Sequence, residues 1–141
     1  MTTKDYRASE NYQKGVATRA SKYEPTPTNP LETLYEFSPE LADVVVAHGL
    51  GDIWVNKTPN LSVQMKEIAV LSSLITSGAV QIEVKNHAQC LLNVGVTKQQ
   101  IKELLILLTL YIGVPKVLLA RVSIDEAFKE YDAARASTEN V

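Results

Sequence analysis

The sequence predicts an all-α fold, and three observations predict it. Helix start signals recur: Ser38-Pro39 places a capping serine before a proline at the first helical position, Ser62 precedes an apolar-periodic stretch, and Thr97-Lys98-Gln99-Gln100 has the form of a capping box. Glycines stand at the expected helix ends, Gly78, Gly95 and Gly113. No stretch alternates apolar and polar residues as a half-buried strand would.

In chain order, residues 1–30 read as a polar N-terminal arm and a proline-rich linker. The arm, to residue 22, is rich in Lys, Thr and Ser, and the linker from Tyr23 holds Pro25, Pro27 and Pro30, which oppose helix and strand alike. A helical domain is expected over residues 31–137. Its first helix opens at the Ser38 cap and runs to about Val55. After a loop containing Pro59, a second starts at Ser62 and stops at Gly78, and a third runs from Val80 to Asn93. The capping box at Thr97 opens an apolar helix ending at Gly113. Pro115 begins the last, with Val117, Ala120, Ile124, Ala127, Phe128 and Tyr131 on one face and Asp125, Glu126, Lys129 and Glu130 on another. The short loops favour antiparallel neighbours in a single bundle.

Composition narrows the function. The 141 residues carry 14 Lys and Arg against 16 Asp and Glu, a net charge of -2 with no dense basic block, so neither a nucleic-acid partner nor an anionic membrane is expected. The longest apolar run, Leu104 to Ile112 interrupted by Thr109, is about half of the roughly 20 residues a membrane span needs. One cysteine, Cys90, excludes an intramolecular disulfide, and the first residues carry charge where a signal peptide needs an apolar run. A cytoplasmic location is expected. The helix from Gln100 to Ile112 is apolar nearly all round and must be covered on more than one side. Another subunit supplies that cover most simply, so a homo-oligomer is expected; a central helix wrapped by its own chain is the alternative.

Chemistry is sought where ionisable groups face inward. With about 100° per residue and Val80 at zero, Val84, Ala88, Leu91, Leu92 and Val94 form the apolar arc of their helix. Glu83 and His87 fall inside it and Cys90 at its edge. Inward ionisable groups need partners, and i to i+4 spacing lets this carboxylate and imidazole meet. Two readings follow from the geometry, an acid/base site or a buried polar pair whose members satisfy one another or cross to a neighbouring helix. On the preceding helix Glu67 lies among Ile68, Val70, Leu71, Leu74 and Ile75, so a second inward carboxylate is expected; the alternative is an edge position whose side chain reaches water. Cys90, three residues beyond His87, is either a reactive thiol or a small buried hydrophobe. No metal site is expected, because His48 and His87 are far apart and neither belongs to a His-x-x-x-His pair. Gly49-Leu50-Gly51 is too short a fragment to mark a nucleotide site.

Three stretches resemble the carboxymuconolactone decarboxylase family, whose members have the alkyl hydroperoxidase D-like helical fold. Gly51-Asp52-Ile53-Trp54, with Leu61-Ser62 and Lys66-Glu67 after it, is similar to the family's Gly-acid-aliphatic-Trp, Leu-Ser or Leu-Asp, and basic-Glu elements. Glu83-Val84-Lys85-Asn86-His87 and Leu92-Asn93-Val94-Gly95-Val96-Thr97 look like its Glu-x-x-x-His and Leu-Asn-x-Gly-x-Thr. Tyr111-Ile112-Gly113-Val114-Pro115 is similar to Tyr-Ala-Gly-x-Pro. The resemblance covers about Leu31 to Tyr131.

Thiol peroxidases of the family carry Cys-x-x-Cys-x-x-x-His, and the two cysteine positions are Val80 and Glu83 here. A two-cysteine cycle therefore has no residues to run on. Glu83 instead matches the decarboxylase arrangement, which implies loss of carbon dioxide from 4-carboxymuconolactone in protocatechuate breakdown, without a cofactor. Carried over, His87 is the general acid or anion stabiliser, Glu83 orients it and Glu67 is a supporting acid/base group; Lys66 and Arg121 are the cations considered for the substrate carboxylate. Family members form hexamers, often trimers of dimers, in line with the oligomer expected from the apolar helix. The sequence departs from the decarboxylases at the N-terminus, where only Gly15 and Arg19 echo their Gly-x-x-x-Arg, and by one extra residue near Gly78. Two other functions fit the residues: a peroxidase using Cys90 alone, and a non-catalytic oligomeric binder of a small molecule.

Overall fold

The computed structural model describes residues 5–23 and 29–139, and among them every regular element is helical. The all-α expectation is met. The chain divides after Leu61 into two compact units.

In the first unit, a 3-10 turn at Tyr6–Ala8 precedes α1 (Glu10–Ala20), whose Ser9 cap accepts a hydrogen bond from the Tyr12 amide. The expected arm is thus helical over these residues. Pro25 and Pro27 of the expected linker lie outside the described residues. Pro30 instead opens α2 (Pro30–Phe37), where the Asn29 side chain accepts from the Leu31 amide and proline fits because the first helical N–H has no partner anyway. Ser38 and Pro39 repeat the device at α3 (Pro39–Ala42), which continues without a break into Asp43–Lys57, wound in the wider π manner. Helix α1 lies along this segment at backbone distance. A Cβ added to Gly15 would meet the Val46 carbonyl oxygen at 2.1 Å, and one added to Gly51 would meet that of Asn11 at 1.9 Å. Tyr12, Ala42, Val46 and Ala47 form the buried cluster around this contact, with Tyr12 edge-on to Tyr35 at 6.1 Å.

The second unit holds α4 (Val63–Ser77), α5 (Gln81–Asn93), α6 (Lys98–Ile112) and α7 (Val114–Glu139). Its boundaries follow the sequence signals. Ser62 caps α4, Gly78 ends it at φ 73°, Thr97 and Gln100 make both halves of the capping box, and Gly113 follows α6 at φ 84°. Helix α5 packs on α4 and α7, and α6 on α7. Leu71, Val84, Leu91, Ile101 and Ile124 are at most 2% exposed, and burying each such side chain contributes about 1.5–3 kcal/mol. The predicted inner face of α7 is the observed one, with Ala120, Ile124, Ala127 and Phe128 buried and Val117 and Tyr131 packed against them.

Within the second unit, the described residues cover only part of the apolar helix α6. Ile101 and Leu105 face the core, but Ile106, Leu107, Leu110 and Tyr111 are exposed, as are Val114, Leu118, Leu119 and Val122 on α7. No described helix is long and apolar enough to cross a membrane.

Candidate active site

Helix α4 presents Glu67 from the same side as Leu71 and Ile75, one and two turns further on. The carboxylate is 0% exposed, with Oε1 as well as Oε2 sealed from solvent. A lone buried carboxylate is costly unless it is matched, and α5 supplies the match. His87 Nδ1 lies 2.8 Å from Glu67 Oε2. With the carboxylate ionised, Nδ1–H donates and Oε2 accepts, which fixes the ring's orientation and leaves Nε2 to face away from Glu67. The imidazole keeps 17% side-chain exposure and is the edge of this pair that meets solvent.

Cys90 completes the cluster. It is fully buried one helical turn beyond His87, and one ligand-type atom from each of Glu67, His87 and Cys90 lies within 4.8 Å of the others. Sequence reasoning singled out all three but joined them differently. It took Glu83 as the carboxylate beside His87, whereas Glu83 is exposed and the hydrogen bond comes from Glu67. The expected inward orientation of Glu83 is corrected here, and the reason is axial. Glu83 has the right angle on the helix but sits about 6 Å nearer its start, where Val80 and Ile82 are also exposed, at 67% and 52%. Glu67 is inward as expected and does not reach water.

The remaining candidates lie elsewhere. Arg121 is exposed on α7, Lys66 is half-buried on α4, and His48 is exposed with Nδ1 3.8 Å from Asp52 Oδ2. A cavity of about 200 Å³ is lined by Gln64, Ile68, Leu91, Val96, Ile101 and Leu104, among others, but by none of Glu67, His87 and Cys90. Gln64 also donates to the Val94 carbonyl at 2.9 Å, tying the start of α4 to the end of α5. A charged clamp holds the far side of α5: Lys85 Nζ lies 2.8 Å from Glu130 Oε1 and 3.3 Å from Glu126 Oε1 on α7. The Glu130 hydrogen bond holds the Lys85 ammonium above the usual lysine range, and the Lys85 hydrogen bond holds the Glu130 carboxyl below the usual carboxylate range.

The site therefore offers a fixed imidazole with a buried carboxylate behind it, a pairing suited to moving a proton at one defined nitrogen. Its residues all fall within the stretch 39–126 that matches the model of the "Carboxymuconolactone decarboxylase family". The chain is also 26% identical over 126 residues to the 4-carboxymuconolactone decarboxylase of Acinetobacter baylyi (strain ATCC 33305 / BD413 / ADP1), a similarity covering 89% of this chain and 92% of that protein. With more than half of its length matched in this way, and with the helical architecture the resemblance implied, the chain belongs to the carboxymuconolactone decarboxylase family.

Proposed function

We propose that the protein is a cofactor-free decarboxylase acting on 4-carboxymuconolactone or a closely related small lactone carboxylate, with His87 as general acid and Glu67 as the group that positions it. The single observation that carries this reading is the 2.8 Å contact between His87 Nδ1 and a fully enclosed Glu67 carboxylate. In the reaction the bond from the ring to the carboxylate carbon breaks, carbon dioxide leaves, and the electron pair spreads into the unsaturated lactone as a dienolate. The imidazolium Nε2–H then protonates the ring carbon, and the neutral imidazole keeps its remaining proton on Nδ1, held by Glu67. Solvent at the exposed ring edge restores the Nε2 proton. The name and similarity of the Acinetobacter protein support the substrate class. In this reading Glu83 takes no direct part.

The same reading places the protein in the cytoplasm, in aromatic compound catabolism, as a homo-oligomer and specifically a hexamer. The open apolar residues of α6 and α7 support association, since extensive exposed apolar surface marks an interface. A peroxidase working through Cys90 is less well served, because the thiol is enclosed and the chain has no second cysteine to resolve a sulfenate.

The test is ultraviolet loss of enzymatically generated 4-carboxymuconolactone. Wild type turns over, His87→Ala loses about 10²- to 10⁴-fold in kcat, Glu67→Gln loses at least about tenfold, and Cys90→Ser keeps its rate. Absence of turnover in the wild type, or full activity in His87→Ala, overturns the assignment.

A further inference from the structure

We infer that Glu67, His87 and Cys90 form a binding site for a thiophilic divalent cation, with Zn²⁺ as the type. Two helices deliver a carboxylate, an imidazole and a thiol to one point, all within 4.8 Å, with the carboxylate and thiol fully buried. The sequence hides the site because its ligands do not come from a His pair: His87 and Cys90 share one turn of α5, and Glu67 arrives from α4 twenty residues earlier. The inference concerns binding at the side chains that the decarboxylase reading also uses, and its test reads the metal and not turnover.

Three arguments select the ion. A thiolate and a carboxylate carry two negative charges, which a divalent cation cancels inside an enclosure where an unbalanced charge is costly. Bond lengths of about 2.0–2.3 Å put the ligand atoms of a tetrahedral zinc site about 3.3–3.8 Å apart, so side-chain movements on the order of 1 Å, which widen the 2.8 Å His87–Glu67 pair and bring atoms up to 4.8 Å apart closer, fit this cluster to the ion. Sulfur and imidazole nitrogen favour Zn²⁺ or Co²⁺, whereas Mg²⁺ and Ca²⁺ require an oxygen shell that one carboxylate does not provide. Three protein ligands leave a fourth position for water, and the 17% exposure of His87 gives the ion its way in. A metal seated between Nδ1 and Oε2 replaces the proton these atoms share. Loading with Zn²⁺ and proton donation by His87 therefore exclude one another.

Cobalt substitution provides the test. Tag-free full-length protein, stripped with a chelator, is titrated with Co²⁺ and followed by absorption. The expected result is a thiolate-to-cobalt charge-transfer band that saturates at one equivalent per chain, is abolished by Zn²⁺ and is untouched by Mg²⁺. Cys90→Ser and Cys90→Ala remove the band. Glu67→Gln and His87→Ala weaken Co²⁺ binding by at least the 10- to 100-fold that loss of an outer-shell partner costs, with circular dichroism confirming that each variant is helical. No band in wild type under excess Co²⁺ overturns the proposal, as does a band that persists at wild-type affinity in both folded Glu67→Gln and His87→Ala. If a variant loses its helical signal, competition by Zn²⁺ against a chromophoric chelator on wild type decides alone: one tight equivalent supports the site, and none overturns it.

Discussion

The two units of this chain bury their cores by opposite means. The first, to Leu61, brings helices together at glycines, so that backbone meets backbone at Gly15 and Gly51, and its buried cluster is small. The second fills its interior with leucine, isoleucine and valine from four helices and, alone among the described residues, encloses a carboxylate, Glu67, in its core. The difference teaches that a helix interface is not always written as an apolar stripe. Where small residues carry the contact, polar composition says nothing against burial.

The contrast breaks most visibly at Gly51. A methyl group there must displace the Asn11 carbonyl, a backbone atom with no side-chain freedom to yield, so Gly51→Ala is expected to cost about 3 kcal/mol, the upper end of the usual range for overpacking. Denaturant unfolding measures the loss. Amide exchange locates it, accelerating across Glu10–Ala20 and Asp43–Lys57. Wild-type stability and exchange in this variant would mean that the close approach at Gly51 does not hold the unit together.

These modes of packing also explain what the sequence made legible. Helices α4 and α6 are readable because they carry start and stop chemistry, Ser62 and Gly78 or Thr97, Gln100 and Gly113, whereas α5, which opens at Val80 without a side-chain cap, and α7 are legible from their apolar faces with a 3.6-residue period. Helix α1 was hidden because only Tyr12 and Gly15 are buried along it. Asn29-Pro30 is the same cap as Ser38-Pro39, but in the sequence it is masked by two neighbouring prolines that signal a linker. At the site, the inward faces of Glu67 and His87 followed from helical angle, and their meeting did not. A helical projection has no coordinate along the axis and none between helices, so Glu83, four residues away, looked nearer to His87 than Glu67, twenty residues away.

A smaller effect sharpens the account of the second unit at its polar flank, where Lys85 joins α5 to Glu130 and Glu126 on α7. Because Glu130 is held below its usual value of 4.5, the stability it contributes is present above that pH and is lost as pH falls through the lowered value. Lys85 is held above its usual 10.5, so its contribution is present below that pH and is lost as pH rises through the raised value. Lys85→Met keeps the aliphatic stem and removes the charge. It is expected to cost about 0.5–1 kcal/mol at neutral pH, within the range of partly exposed pairs, and to flatten the acid limb of a stability-versus-pH curve. An acid limb as steep as that of wild type would assign the pH dependence to other carboxylates.

The smallest effect belongs to Glu83, and it discriminates between the two carboxylates. Glu83→Gln changes an exposed side chain at the start of α5, so unfolding stability should stay within about 0.5 kcal/mol of wild type. Turnover of the lactone should be unchanged as well. Glu67→Gln places an amide in the enclosed position against His87 Nδ1, and there activity should fall even if the helices remain intact. Such a pair of results would assign to Glu67 the role that sequence spacing gave to Glu83. If Glu83→Gln instead lost activity as deeply as Glu67→Gln, the substrate-bound protein would have to bring the start of α5 onto the His87 ring, and the 2.8 Å pair would be only half of the acid/base device.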